Sequence, residues 1–218
     1  MGIPVIVFGK SGSGKSRSLK NFKDDELFLV NVLGKPLPFK GNFKYSMQTD
    51  DPAKIMQGLA KMQEAGLKVA VIDDCGYIMT NIFMRGHGSG DQFKLYNQIG
   101  DVVWNFINYI QGPAVASDAI VYLIFHEDLA EDGSNKIRTI GKLLDQKVCL
   151  EGMCTVVLHS IIKGDRHIFL TNSDGFDIAK SPEEMFADRE IDNDLKAVDT
   201  AIRAYWSLGG AAAKKGAK

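Results

Sequence analysis

Four short apolar runs divide the first 126 residues: Ile3 to Phe8, Leu27 to Leu33, Val69 to Ile72 and Ala119 to Phe125. Each is too short for a helix and has no regular polar face. That is the pattern of strands covered on both sides in a parallel sheet. Helical spacing lies between them. From Gln92 to Gln111, Phe93, Tyr96, Ile99, Val103, Phe106 and Ile110 recur every three or four residues, which predicts an amphipathic helix. Asp51-Pro52 supplies a cap and a first-turn proline, Ile55, Leu59 and Met62 share one face, and Gly66 follows, predicting another. A further helix is expected from about Lys15 to Phe22, and a last one capped by Asn193 and carrying Leu195, Val198, Ile202 and Tyr205.

Turn residues complete the outline. Gly34-Lys35-Pro36-Leu37-Pro38 breaks regular structure, and a polar loop is expected from His126-Glu127 to about Ile140. Thr155 to Ile162 and His167 to Thr171 flank Lys163-Gly164-Asp165-Arg166, which predicts a β-hairpin. The expected fold is α/β: a mostly parallel central sheet flanked by helices, with a C-terminal β-hairpin. It should form one domain over residues 1–208, followed by a disordered Gly/Ala/Lys tail over 209–218.

Composition narrows the function classes. A formal net charge of −1 argues against a surface wholly dedicated to nucleic acid, while leaving room for a local basic loop. Three cysteines without a CxxC pair (Cys75, Cys149 and Cys154) suggest buried reduced thiols and a cytoplasmic location. No signal-peptide pattern opens the chain, and no apolar run reaches the roughly 18 residues of a membrane helix, so no membrane is expected. The histidines His87, His126, His159 and His167 are scattered and suggest no metal cluster.

The strongest chemistry follows the first run. Gly9-Lys10-Ser11-Gly12-Ser13-Gly14-Lys15-Ser16 satisfies G-x-x-x-x-G-K-[ST] between a predicted strand and a predicted helix. Glycines let the backbone curl so that N–H groups point at phosphate, and a helix start adds the positive end of its dipole. Lys15 offers a full charge to the β- and γ-phosphates of ATP or GTP, and the Ser16 hydroxyl suits Mg²⁺. The second acidic element is Val69-Ala70-Val71-Ile72-Asp73, four apolar residues and a carboxylate, the form of a Walker B strand. Asp73 is expected to hold Mg²⁺ opposite Ser16, and Asp74 or Glu127 to polarise the attacking water. His126, at the end of its strand, stands at the sheet edge where α/β proteins bind ligands and is expected to sense the γ-phosphate.

Together these features resemble the RecA-type P-loop core. Val71 to Ile78 resembles its Walker B strand and the helix after it, and Val121 to His126 with Gly141-Lys142-Leu143 resembles the strand leading to its second DNA loop. More closely, the stretch from Ile3 to Trp206 is similar to compact phage-encoded RecA-like ATPases of the Sak single-strand-annealing group. The likeness includes Gly34-Lys35-Pro36-Leu37, His126, Lys180-Ser181-Pro182 and Ile191 to Leu195.

The resemblance implies an ATPase that binds single-stranded DNA, forms homo-oligomers and aids phage recombination or annealing. It implies DNA loops at about Arg85 to Gln92 and Glu127 to Ile140, the second bearing Lys136 and Arg138. It also implies that Lys163 and Arg166 can reach a neighbour's ATP as trans-acting charges. Two departures stand out. The strand after the first helix ends in Asn31-Val32-Leu33-Gly34, without the catalytic glutamate of RecA proteins, and the chain starts at its first strand, without their N-terminal docking segment. A P-loop kinase is disfavoured by few and dispersed arginines (Arg17, Arg85, Arg138, Arg166, Arg189 and Arg203). A nucleotide-gated interaction module with little turnover is kept open by the missing glutamate.

Overall fold

Strand β1 (Ile3–Gly9) is buried at every position from Pro4 to Gly9, since its side chains are apolar on both faces of the sheet. The computed structural model describes residues 1–209 except 89, 142, 143, 145 and 146. The expected tail beyond Gly209, Ser89 in the first candidate DNA loop, and Lys142-Leu143 lie outside the described residues.

Among the described residues eight further strands join β1: β2 (Phe28–Asn31), β3 (Tyr45–Met47), β4 (Val69–Asp73), β5 (Ile120–Leu129), β6 (Asn135–Ile137), β7 (Val156–Lys163), β8 (Arg166–Leu170) and β9 (Glu190–Asp192). They form one nine-stranded sheet in the order β3-β2-β4-β5-β1-β7-β8-β9, with β6 paired to β5. Pairing is parallel from β3 to β7 and antiparallel at β6, β8 and β9. The fold is therefore α/β with a mostly parallel mixed sheet, and the β7–β8 hairpin forms with Lys163 opposite Arg166.

Helices α1 (Pro52–Lys61), α2 (Gly76–Gly86) and α3 (Gln92–Gln111) cover one face, burying Ile55, Ile78, Val103 and Phe106 against Ile6, Phe8, Ile72 and Leu123. Helix α4 (Leu195–Tyr205) and a short 3-10 helix (Ser16–Asn21) cover the other, packing Leu19, Val198 and Ile202 on Val5, Val7 and Tyr122. No helix among the described residues is long and apolar enough to cross a membrane.

The register sets up the site. Gly9 lies opposite His126 on β5, Phe8 opposite His159 on β7, and Asn31 of β2 opposite Asp73 of β4. Because β5 runs between β1 and β4, His126 stands between the glycine loop and the acidic strand end.

Several expectations need correction. The helix after the glycine loop is 3-10, not α: the Ser18 hydroxyl donates to the Lys15 carbonyl at 2.5 Å, competing for the acceptor that an α-turn would use. The dipole invoked there is correspondingly slight. Strand β5 does not stop at Phe125. It continues to Leu129 and turns back into β6, pairing Glu127 with Ile137 and Asp128 with Lys136, so much of the expected polar loop is a ladder. The turn is an Asp132-Gly133 pair, with Gly133 at φ 82° and Asp132 accepting from the Ser134 amide and hydroxyl. The first candidate loop is also shorter than expected, because α2 runs through Arg85 to Gly86 and Gln92 begins α3. Strand β2 ends at Asn31 rather than Leu33. Finally, Asp194 caps α4, accepting from the amides of Lys196 and Ala197, while Asn193 is buried beside the glycine loop. Asp194→Ala is expected to cost about 1 kcal/mol, measured as a lowered urea midpoint with an unchanged slope.

Candidate functional site

The glycine loop leaves the carboxyl end of β1 and is seated on the β7–β8 hairpin. A Cβ on Gly9 would lie 2.3 Å from the Ser160 carbonyl oxygen. Gly14 has φ +106°, and a Cβ there would meet His167 Nδ1 at 2.8 Å and Asn193 Oδ1 at 2.9 Å. Polar bonds reinforce this seat. The Ser13 carbonyl accepts from Ser160 Oγ at 3.0 Å and from His167 Nδ1 at 2.8 Å, and Asn193 Nδ2 donates to Ser160 Oγ at 3.2 Å. Among the described residues two buried polar atoms, Ser13 Oγ and Asn193 Oδ1, have no partner.

Lys15 is buried and curls over its own loop, its Nζ donating to the Gly9 carbonyl at 2.8 Å and the Lys10 carbonyl at 2.7 Å. Burial pulls its pKa down to about 8, against the charges of Asp74, Asp73 and Glu127 that favour the ammonium. Ser11, Gly12, Gly14, Lys15 and Ser16 line a cavity of about 380 Å³, closed opposite by Lys35, Pro36, Pro38, Asp73, Asp74, His126 and His167. Of the eight loop residues, Lys10 instead extends outward, its ammonium 3.7 Å from a Glu127 oxygen.

Across the cavity, Asp73 and Asp74 end β4. Ser16 Oγ donates to Asp73 Oδ1 at 2.9 Å. Burial raises the Asp73 pKa, and the neighbouring Asp74 charge adds to it. The pair suits Mg²⁺: oxygens at neighbouring positions of an octahedron with metal distances of about 2.0–2.1 Å lie about 3 Å apart. Among the described residues no group of three or more His, Cys, Asp or Glu side chains could hold a metal ion. The remaining ligands would therefore come from phosphate and water, as is usual for this cation.

Asp74 adopts φ 59°, unusual for a residue with a side chain. Lys35 Nζ lies 2.5 Å from one of its oxygens and His126 Nε2 3.3 Å from the other. Burial alone would raise its pKa, but these two partners outweigh it and hold it below the ordinary carboxylate value. A carboxylate with a lowered pKa orients water better than it removes a proton. Where the RecA resemblance implies a glutamate, Asn31 Nδ2 donates to the Lys35 carbonyl at 2.7 Å, fixing the turn that brings Lys35 onto Asp74.

Glu127 follows His126 on β5 and faces the other way. It is buried with His159 Nε2 donating to it at 2.6 Å, while His159 Nδ1 donates to Asp177. The imidazole stacks on Phe8. Burial by itself would depress the His159 pKa, but bonds and charge from Asp177 and Glu127 raise it above the ordinary value. Glu127 is thus one end of a carboxylate–imidazolium–carboxylate chain, and it does not line the cavity that holds Asp74 and His126.

The other candidate cations lie apart. Lys163 bonds Glu190 at 2.6 and 2.8 Å, and Arg166 bonds Asp192 at 2.8 Å, both in exposed pairs with β9. Arg85 at the end of α2 pairs with Asp50 at 2.9 Å. Arg138 shares a small cavity with Gly76, Tyr77 and Thr80 at the start of α2, about one helix length (roughly 15 Å) away. Lys136 stands opposite Asp128 in the β5–β6 ladder. The Arg138 amide donates to the His126 carbonyl at 2.8 Å, so this strand is tied to a residue of the cavity. Cys75 and Cys154 are buried as expected, whereas Cys149 is exposed.

Residue patterns alone do not reveal Lys35, His159, His167, Ser160, Asn193 or Asp177 as parts of one network. Only the Gly34-Lys35-Pro36 turn and the proximity of His167 to a hairpin tip hinted at special positions. No known protein-family model and no curated protein sequence matches this chain.

Replacing His159 by glutamine strands two buried carboxylates and should cost about 3–5 kcal/mol in denaturant unfolding. The folded-state pKa of His159 is raised. Its charge-dependent contribution is therefore complete below the ordinary value near 6.5 and is lost as pH rises through the raised one. The stability gap between wild type and His159→Gln should accordingly narrow in alkaline buffer.

Proposed function

We propose that this chain is a RecA-like P-loop protein that binds ATP with Mg²⁺, hydrolyses it, and engages single-stranded DNA in recombination or strand annealing. The observation that carries the reading is the Gly9–Ser16 loop, curled at the end of β1 with Lys15 buried and Ser16 on Asp73. Mg²⁺, when bound, would neutralise charge on the β- and γ-phosphates. The chain's own residues do the rest. Lys15 exchanges its two carbonyl partners for phosphate oxygens, the loop amides wrap the phosphate, and Asp73 with Ser16 offers oxygens for the cation. Asp74, held by Lys35 and His126, orients water.

Coupling to DNA rests on His126. Its side chain meets Asp74, and its carbonyl holds the Arg138 amide of the β5–β6 hairpin. A strand of DNA drawn to Lys136 and Arg138 would pull on the same residue that touches the water-orienting carboxylate. Lys163 and Arg166 are proposed to act across a homo-oligomer interface, since exposed pairs such as theirs are worth only about 0–1 kcal/mol and exchange readily. The proposed setting is the cytoplasm of a phage-infected host.

A second reading, a nucleotide-gated module with slow turnover, is favoured by one observation. Asn31, not a carboxylate, stands beside Asp73 at the sheet edge. An ATPase assay with and without single-stranded DNA separates the two.

Lys15→Ala should weaken ATP binding about 10- to 100-fold by calorimetry; unchanged affinity would refute the phosphate-site reading. Wild-type affinity should fall as pH rises above about 8, because phosphate requires the charged ammonium that burial disfavours. Single-stranded DNA should bind with steep salt dependence, and neutralising Lys136 and Arg138 together should reduce the log–log slope by about 1.4 if each meets one phosphate. No binding at low salt, with or without ATP, would sink the DNA reading.

A further inference from the structure

A second cavity, of about 290 Å³, lies between the 3-10 helix, the tip of the β7–β8 hairpin and the start of α4. Arg17 and His167 line both this cavity and the glycine-loop cavity. Both spaces lie near the lower end of the range for ligand clefts, which begin at roughly 300 Å³. The loop cavity carries Lys15, Lys35 and Arg17 against Asp73 and Asp74, and the second carries Asp165, Asp192 and Asp194 against Arg17, Lys20 and Arg166. The second lining is balanced in charge, and its carboxylates suit the hydroxyl donors of a sugar.

Unspent acceptors lie on the hairpin side of this cavity. The Ser13 carbonyl can only accept, so His167 Nδ1 carries the hydrogen of that bond, and in the neutral ring Nε2 presents a lone pair. Among the described residues Nε2 has no hydrogen-bond partner, and it is not among the buried unpartnered atoms. The Asp165 carboxylate, at the hairpin tip, likewise accepts no hydrogen bond from a described residue. By contrast Asp192 is paired with Arg166, and Asp194 caps α4 and accepts from Asn21.

We propose that the second cavity is the nucleoside subsite, in which His167 Nε2 and Asp165 accept from the ribose hydroxyls while Arg17 marks the passage from phosphate to sugar. This rests on the phosphate-site reading of the glycine loop. It makes His167 a two-sided residue: Nδ1 shapes the loop, and Nε2 reads the sugar.

The test is calorimetry of ATP and of inorganic tripolyphosphate with wild type, His167→Asn and Asp165→Asn. An asparagine amide can still donate to the Ser13 carbonyl, so H167N keeps the loop seated and removes only Nε2. The expected result is a loss of about three- to tenfold in ATP affinity for each variant, with tripolyphosphate affinity unchanged. Equal ATP affinity in wild type and both variants would overturn the subsite while leaving the phosphate site intact. So would an equal loss for both ligands, since that reports a disturbed loop. If wild type binds neither ligand, the phosphate-site reading falls and takes this one with it.

Discussion

The site depends on one close approach between backbones. Gly9 runs so near the Ser160 carbonyl that no side chain fits, and the loop that follows is pinned through the Ser13 carbonyl to Ser160 and His167. Everything else takes its position from that seat. Lys15 is buried because the loop closes around it, and Ser16 meets Asp73 because the loop delivers it to the far side of β5. An antiparallel hairpin added to the end of a parallel sheet is therefore not peripheral. It is the floor of the loop.

Electrostatics then divides the sheet edge into two compartments. On one side Asp73 and Asp74 face Lys15, Lys35 and His126; on the other Glu127, His159 and Asp177 form a buried chain touched by Lys10. The first compartment opens to a cavity, and Asp74 there is kept charged by partners that can be exchanged. The second is closed, and its charges hold β5, β7 and the segment around Asp177 together. Carboxylates that look alike in sequence thus have different chemistry, decided by which face of a strand they occupy.

Much of this was legible in the sequence because it is local. Buried parallel strands announce themselves as unbroken apolar runs, and β1, β4 and α3 lie where the pattern put them. The glycine loop and Asp73 were legible for the same reason. What was not legible depends on contacts between distant segments. Glu127 looked like a candidate for the water site, yet strand alternation turns it toward His159, 32 residues away. Nothing local placed His167 and Asn193 beside the glycine loop, and that place comes from Gly14, which leaves them room. The β5–β6 ladder was missed because a polar, charged strand at an edge lacks the apolar alternation that marks strands, although Asp132-Gly133 is a turn signal.

His126 and Glu127 are neighbours in the chain but serve opposite compartments, with His126 in register with Gly9. Side chains on a strand alternate with a period of two, so a shift of one position exchanges the two faces. An insertion or deletion of one residue between Ile120 and Phe125 would send an imidazole into the closed compartment and a carboxylate into the open one. Core substitutions here can be graded in their effect. A change in length cannot, and β5 should tolerate variation in composition while its residue count stays fixed.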